Sequence, residues 1–181
     1  MKTASKFRSG PVMPVLVLTL ICLIITAALA LTNHVTAPII KETQRVVAEQ
    51  GRKDVLPEAQ DFELMDISGL PETVKEVYKT SNDVGYVFMI TTNGYDGADT
   101  MNLACGIDSN GQITGVKVLS HKETAGLGSR ITESKFTDQF IGKSAELDGV
   151  DIISGASRSS RYFINAVHDA FDAYEMAKGA A

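Results

Sequence analysis

Two segments hold the side chains that could do chemistry. The first is Ser154-Gly155-Ala156-Ser157-Arg158-Ser159-Ser160, a run of small and hydroxyl residues directly ahead of an amphipathic stretch. Serines at such a place are first of all helix caps. The same place also suits an anion, because free N–H groups and the helix dipole attract a phosphate and glycine and alanine leave it room. The second is Ser120-His121-Lys122-Glu123-Thr124-Ala125-Gly126-Leu127-Gly128-Ser129-Arg130-Ile131. Gly126 and Gly128 let the backbone bend and come close to a ligand, Thr124 and Ser129 offer hydroxyls, and His121 and Glu123 offer ionisable groups. The plain alternative is a polar connector with ordinary turn glycines. His34, His121 and His168 are far apart and have no metal-ligand spacing, and the chain has no Walker A loop, HExxH or CxxC.

The elements that must position these segments are mostly strands. Val74 to Thr80 and Val84 to Thr92 are rich in β-branched and aromatic residues, with Ser81-Asn82-Asp83 as turn chemistry between them. Asn93-Gly94-Tyr95-Asp96-Gly97 reads as a glycine-punctuated loop. Met101 to Asp108 and Ile113 to Ser120 form a hairpin through Ser109-Asn110-Gly111, where Asn-Gly is the turn signal. Cys105 falls on a strand and is expected in the core. Thr132 to Ile141, with Phe136 and Phe140 four apart and Gly142 as a stop, predicts a helix. Ser160 to Lys178 predicts another, since Phe163, Val167, Ala170, Phe171 and Tyr174 share one face. The class is α+β, a mostly antiparallel sheet with packed helices.

Composition separates this body from what precedes it. The chain has 181 residues, 17 Lys+Arg against 22 Asp+Glu and a formal net charge of -5. That balance argues against a nucleic-acid binder, and two cysteines cannot make a disulfide scaffold. Val12 to Leu31 carries no formal charge, and as a helix spans about 30 Å, the thickness of a bilayer core. Lys2, Lys6 and Arg8 precede it without acids, so the positive-inside rule puts residues 1–11 in the cytoplasm and the acidic body outside. A cleaved signal peptide ending at Ala28-Leu29-Ala30 is the alternative, although the apolar run exceeds the roughly 7–15 residues of a signal core. Cys22 lies mid-span behind bulky Ile21, which argues against a lipoprotein. Thr36 to Gln50 reads as a juxtamembrane helix opened by Pro38, and Asp54 to Gly69 as a loop-rich stretch. The expected domains are a cytoplasmic N-terminus (1–11), a transmembrane helix (12–31), a juxtamembrane helix and connector (32–70) and a ligand domain (71–181).

The residues already quoted carry a family resemblance. Ser154-Gly155-Ala156-Ser157-Arg158-Ser159 resembles the flavinylation motif of FMN-binding domains: serine or aspartate, glycine, alanine, a hydroxyl residue, any residue, a hydroxyl residue. His121-Lys122-Glu123-Thr124-Ala125-Gly126-Leu127-Gly128 resembles that family's HxETPGLG signature, and Gly94-Tyr95-Asp96-Gly97 its GYxG element. With one N-terminal anchor ahead of them, the three motifs resemble the RnfG/RsxG branch of the Rnf electron-transport complexes over nearly the whole chain. The C-type member of the sodium-pumping NADH:quinone oxidoreductase shares the domain in a longer chain. A free-standing extracytoplasmic flavoprotein and a cofactor-free anchored binding domain are the other readings. Two positions depart from the pattern: Ala125 stands where the family has proline, and Ser159 where threonine is commoner.

The resemblance implies FMN joined to Ser159 by a phosphoester, with Ser154, Gly155, Ala156 and Ser157 completing the motif. Glu123, Thr124, Gly126, Leu127 and Gly128 would line the flavin or its phosphate. It also implies attachment by a separate flavin transferase using FAD and Mg2+. The implied partners are the other subunits of the complex, and the lipid bilayer through residues 12–31. The complex would carry electrons between ferredoxin and NAD+ and translocate Na+ or H+. This single-pass inner-membrane subunit would be one relay in it, a translocase component with no complete activity, no catalytic side chain and no metal of its own. His121 is expected to be a hydrogen-bonded structural histidine, and Arg158 either solvated or a partner for the phosphodiester.

Overall fold

A computed structural model describes residues 12–180. The cations Lys2, Lys6 and Arg8, on which the expected orientation rests, lie outside the described residues. Two compact units are distinguished, one up to Val46 and one from Val47 onward.

The described residues of the first unit are all helical. Helix α1 runs from Val12 to Val55 and continues into the second unit. Its N-terminal part is apolar on all sides, and by length and composition it could cross a membrane. Two threonines turn inward on their own helix: the Thr19 hydroxyl donates to the Val15 carbonyl at 2.9 Å, and that of Thr32 to the Ala28 carbonyl at 2.9 Å. The expected helix over Thr36 to Gln50 forms, but it does not open at Pro38. Pro38 lies inside α1, which has no interruption between Leu31 and Thr36. No glycine occurs there to end the helix, and one proline removes a single ladder hydrogen bond without forcing a stop.

The second unit is a five-stranded antiparallel meander in the order β1 to β5: β1 (Phe62–Met65), β2 (Val74–Thr80), β3 (Gly85–Gly94), β4 (Gly97–Asp108) and β5 (Ile113–His121). The α+β class holds. The four strands expected from the sequence form, and Asn110-Gly111 turns β4 into β5 with Gly111 at φ +79°. Two expectations change here. Gly94 to Gly97 is the tight turn of a β3–β4 hairpin rather than a loop between hairpins, with Gly94 paired to Gly97. The supposed loop-rich Asp54 to Gly69 contains β1, an edge strand of four residues that a short alternating pattern barely signals.

Period-2 alternation gives the sheet two buried faces. Phe88, Ile90, Leu103, Cys105 and Ile107 point to one side. There α3 (Ser157–Ala180) lays down the predicted stripe Phe163, Val167, Ala170, Phe171 and Tyr174, all buried. Val87, Met89 and Ala104 point to the other side and pack on Val55 and Leu56 at the end of α1. Gly106 lets that helix end approach, since a Cβ there would lie 2.5 Å from the Val55 carbonyl oxygen. The expected helix Thr132 to Ile141 is replaced by a 3-10 turn at Gly128–Thr132, α2 (Ser134–Thr137) and a second 3-10 turn at Asp138–Phe140. Glu133 is extended (φ −74°, ψ 137°) and breaks the run. Phe136 and Phe140 are buried against Phe163, with ring centroids 5.1 Å from it in each case. Core packing, not helical propensity, sets the shape of this segment.

Cys105 sits at the sheet centre between Phe88 and Val116, and burial pushes its thiol up to about 12. Unfolded, it titrates near its usual value of about 8.5. Between those values the unfolded chain has lost a proton that the folded chain keeps. Stability from this group is therefore complete below the unfolded value and falls as pH rises, by up to ~1.4 kcal/mol per pH unit. Denaturant titrations across the alkaline range should show a steeper loss in the wild type than in Cys105→Ala. Tyr174, also raised by burial, contributes equally to both.

Candidate functional site

The two chemistry-bearing segments meet. The hairpin turn after β3, the loop after β5 and the start of α3 surround a cleft of about 420 Å3. Each wall has a local cause. Gly155 at φ +84° reverses the chain so that α3 starts at the cleft. Ser160 locks that start: its hydroxyl accepts the Ile153 N–H at 3.1 Å and donates to the Ala156 carbonyl at 3.0 Å. The loop after β5 is closed on itself, with the Leu127 and Ser129 N–H groups both donating to the Thr124 carbonyl at 3.2 Å. Gly126, at φ +76°, donates its N–H to the Ser129 hydroxyl at 2.9 Å.

Ser159 and Glu123 form the centre of the site. The Ser159 hydroxyl donates to Glu123 Oε2 at 2.6 Å, and both side chains are buried at the edge of the cleft. Glu123 Oε1 accepts the Tyr95 N–H at 2.9 Å, and the Glu123 N–H donates to His121 Nδ1 at 3.1 Å. His121 thus orients the backbone of Glu123. Gly128 is needed here for a reason other than backbone freedom: its φ is not left-handed, but a Cβ on it would lie 2.2 Å from Glu123 Oε2. Gly94 clears the other oxygen, since a Cβ at that position would lie 2.3 Å from Oε1.

Of the residues singled out in the sequence, Glu123, Thr124, Leu127 and Gly128 line the cleft from one side, and Gly155, Ala156, Ser157 and Ser159 from the other. Ser154 and Gly126 do not line it. Ser154 accepts a long 3.5 Å contact from Arg130 through its carbonyl, and Gly126 shapes the loop. Tyr95, which was not among the expected site residues, and Arg158, expected either solvated or as a partner for the phosphodiester, complete the wall. The Arg158 guanidinium lies 5.8 Å from the Tyr95 ring centroid and 5.7 Å from that of Tyr162. The GYxG motif was the available signal for Tyr95, because a tight turn offers its central side chain to solvent.

This donor set fits FMN. The cleft volume falls in the range of about 300–1,000 Å3 usual for small-molecule sites. A helix N-terminus and a hydroxyl suit the phosphate end, and the exposed side chains of Tyr95 and Leu127 offer apolar surface to a planar ring.

Residues 94–172, which include all the residues lining the cleft, match the model of the FMN-binding domain. The chain is 35% identical to the G subunit of the Na+-translocating ferredoxin:NAD+ oxidoreductase complex of Acetobacterium woodii, over 84% of this chain and 79% of that one. It is 34% identical to the G subunit of the ion-translocating oxidoreductase complex of Methanosarcina acetivorans, over 91% and 95%. The corresponding G subunit from Shewanella piezotolerans is 28% identical over 84% of each. The chain belongs to the G-subunit family of ion-translocating oxidoreductase complexes.

Proposed function

We propose that this chain is the membrane-anchored electron-relay subunit of an Rnf-type ion-translocating ferredoxin:NAD+ oxidoreductase complex, carrying FMN as a phosphoester on Ser159. The family supports the relay role, and the buried Ser159 hydroxyl at the start of α3 supports the covalent site. Three serines crowd this turn, and their surroundings differ. Ser160 spends its hydroxyl on capping, Ser157 is the half-buried first residue of α3, and Ser159 alone meets a carboxylate at the cleft. Bound FMN supplies one- and two-electron transfer, and the protein supplies position and electrostatics. The α3 N-terminus favours the remaining phosphodiester charge, with Arg158 close by. The loop from Glu123 to Gly128 forms one side of the cleft. Attachment requires a flavin transferase, and the working partners are the other subunits of the complex.

Residues 12–31 of α1 anchor the chain, with the N-terminus cytoplasmic and the body outside. One experiment tests topology and covalency together. Protease added to right-side-out vesicles from cells that also express a flavin transferase should release a fragment of the body that stays fluorescent after denaturing separation. Its flavin-bearing peptide should contain Ser154 to Ser159. A protected body refutes the orientation, and a released but colourless fragment refutes the covalent flavin.

A further inference from the structure

We propose that Glu123 is the base that accepts the Ser159 proton as the flavin is attached, so that the acceptor chain supplies part of the catalysis of its own modification. The inference rests on Ser159 being the attachment site. A serine hydroxyl is a weak nucleophile and needs a base within hydrogen-bond reach. Glu123 Oε2 is 2.6 Å from Ser159 Oγ, the short range of a hydroxyl donating to a carboxylate. Its other oxygen is pinned by the Tyr95 N–H, so the acceptor lone pair is aimed before any reactant arrives.

Two glycines from separate segments make the space. Side chains at Gly94 and Gly128 would both collide with this carboxylate, one at each oxygen. Among the described residues no ion pair engages Glu123. A neutral glutamine could accept the Tyr95 N–H equally well. Burying a carboxylate costs more than burying an amide, and a carboxylate, unlike an amide, can take up the hydroxyl proton.

The step balances without redox change. Ser159 Oγ attacks the flavin-side phosphorus of a flavin dinucleotide, forming the Oγ–P bond as the pyrophosphate P–O bond breaks and releasing the nucleoside monophosphate with the bridging oxygen. The hydroxyl proton passes to Glu123 Oε2 and then to solvent through the cleft.

The test follows flavinylation of the full-length chain in detergent by intact mass, with a flavin transferase, FAD and Mg2+. Glu123→Gln keeps the size of the side chain and the Tyr95 hydrogen bond. Its maximal rate should fall about 100-fold, with little change in the half-saturating chain concentration or in the melting temperature. Glu123→Asp keeps the charge but withdraws it by one methylene and should slow the reaction at least about ten-fold. It also keeps the test decisive if the amide variant folds poorly. A purely structural role predicts altered melting with an unchanged rate. A folded variant modified on Ser159 at the wild-type rate overturns the base alone, whereas wild-type flavin mapped to another residue overturns the site and the base together.

Discussion

Ser159→Ala should leave the chain with no covalent flavin at all, in a protein that still folds. The expectation separates three adjacent hydroxyls by what each one touches. Removing the Ser159 hydroxyl takes away, among the described residues, the one group at the cleft that is both nucleophilic and in contact with a carboxylate. It leaves Glu123 Oε2 one hydrogen bond short beside a cleft that water can enter, at a cost of about 1–2 kcal/mol. Ser160→Ala should do the reverse. It deletes two capping hydrogen bonds at a fully buried position and costs about 1–2 kcal/mol, while the flavin is still attached. Ser157→Ala should change neither property much. Ser159→Thr should be modified, because its hydroxyl can occupy the same position. Intact mass and in-gel fluorescence after co-expression with a transferase, read beside thermal melts, check all four. Full flavin content in Ser159→Ala would be incompatible with the assigned site.

Gly128→Val carries the second largest effect, because it acts on stability and on chemistry together. The valine Cβ would meet Glu123 Oε2 at 2.2 Å and Glu123 Cβ at 3.0 Å. A free carboxylate could swing away. This one is held by Tyr95 and Ser159, so relief requires breaking one of those hydrogen bonds or moving the loop. Overpacking of this kind costs about 1–3 kcal/mol. Displacement of the carboxylate should lower the flavinylation rate by more than about 100-fold. Gly126→Ala makes the contrast: nothing lies within 4 Å of its Cβ, but φ is +76°, so it should lose about 1 kcal/mol of stability with the flavin still attached. Equal flavinylation in a folded Gly128→Val protein would show that the Glu123 position is irrelevant to attachment.

Local pattern made much of the fold legible. The apolar stripe from Phe163 to Tyr174 lies four, three, one and three residues apart, and any helix presenting it must bury it. Asn110-Gly111 permits the left-handed turn that joins β4 to β5. The long uncharged run before Leu31 needs no neighbour to be recognised as a helix. Where a segment's shape depends on remote packing, the pattern misled. Phe136 and Phe140 are four apart as in a helix, yet Phe163 and the sheet hold them in a broken run of short turns. The stretch around β1 has too few residues to declare a strand until β2 supplies its hydrogen-bond partners.

The site divides in the same way. The hydroxyls, the glycines and the acid were all visible as residue types, because capping, tight turns and ionisation are properties of short stretches of chain. Which hydroxyl meets which acid was not. Ser159 and Glu123 are 36 residues apart, and their contact exists only because β5 ends, and α3 begins, at the same edge of the sheet. The purpose of Gly128 was hidden for the same reason. By itself the sequence determined a long apolar helix, an antiparallel body and two candidate segments, all written in interactions between near neighbours. Only the tertiary structure decided that Gly94 and Gly128 clear room for one carboxylate and that Ser159 is the serine it touches, since steric exclusion acts between atoms close in space however distant they are along the chain.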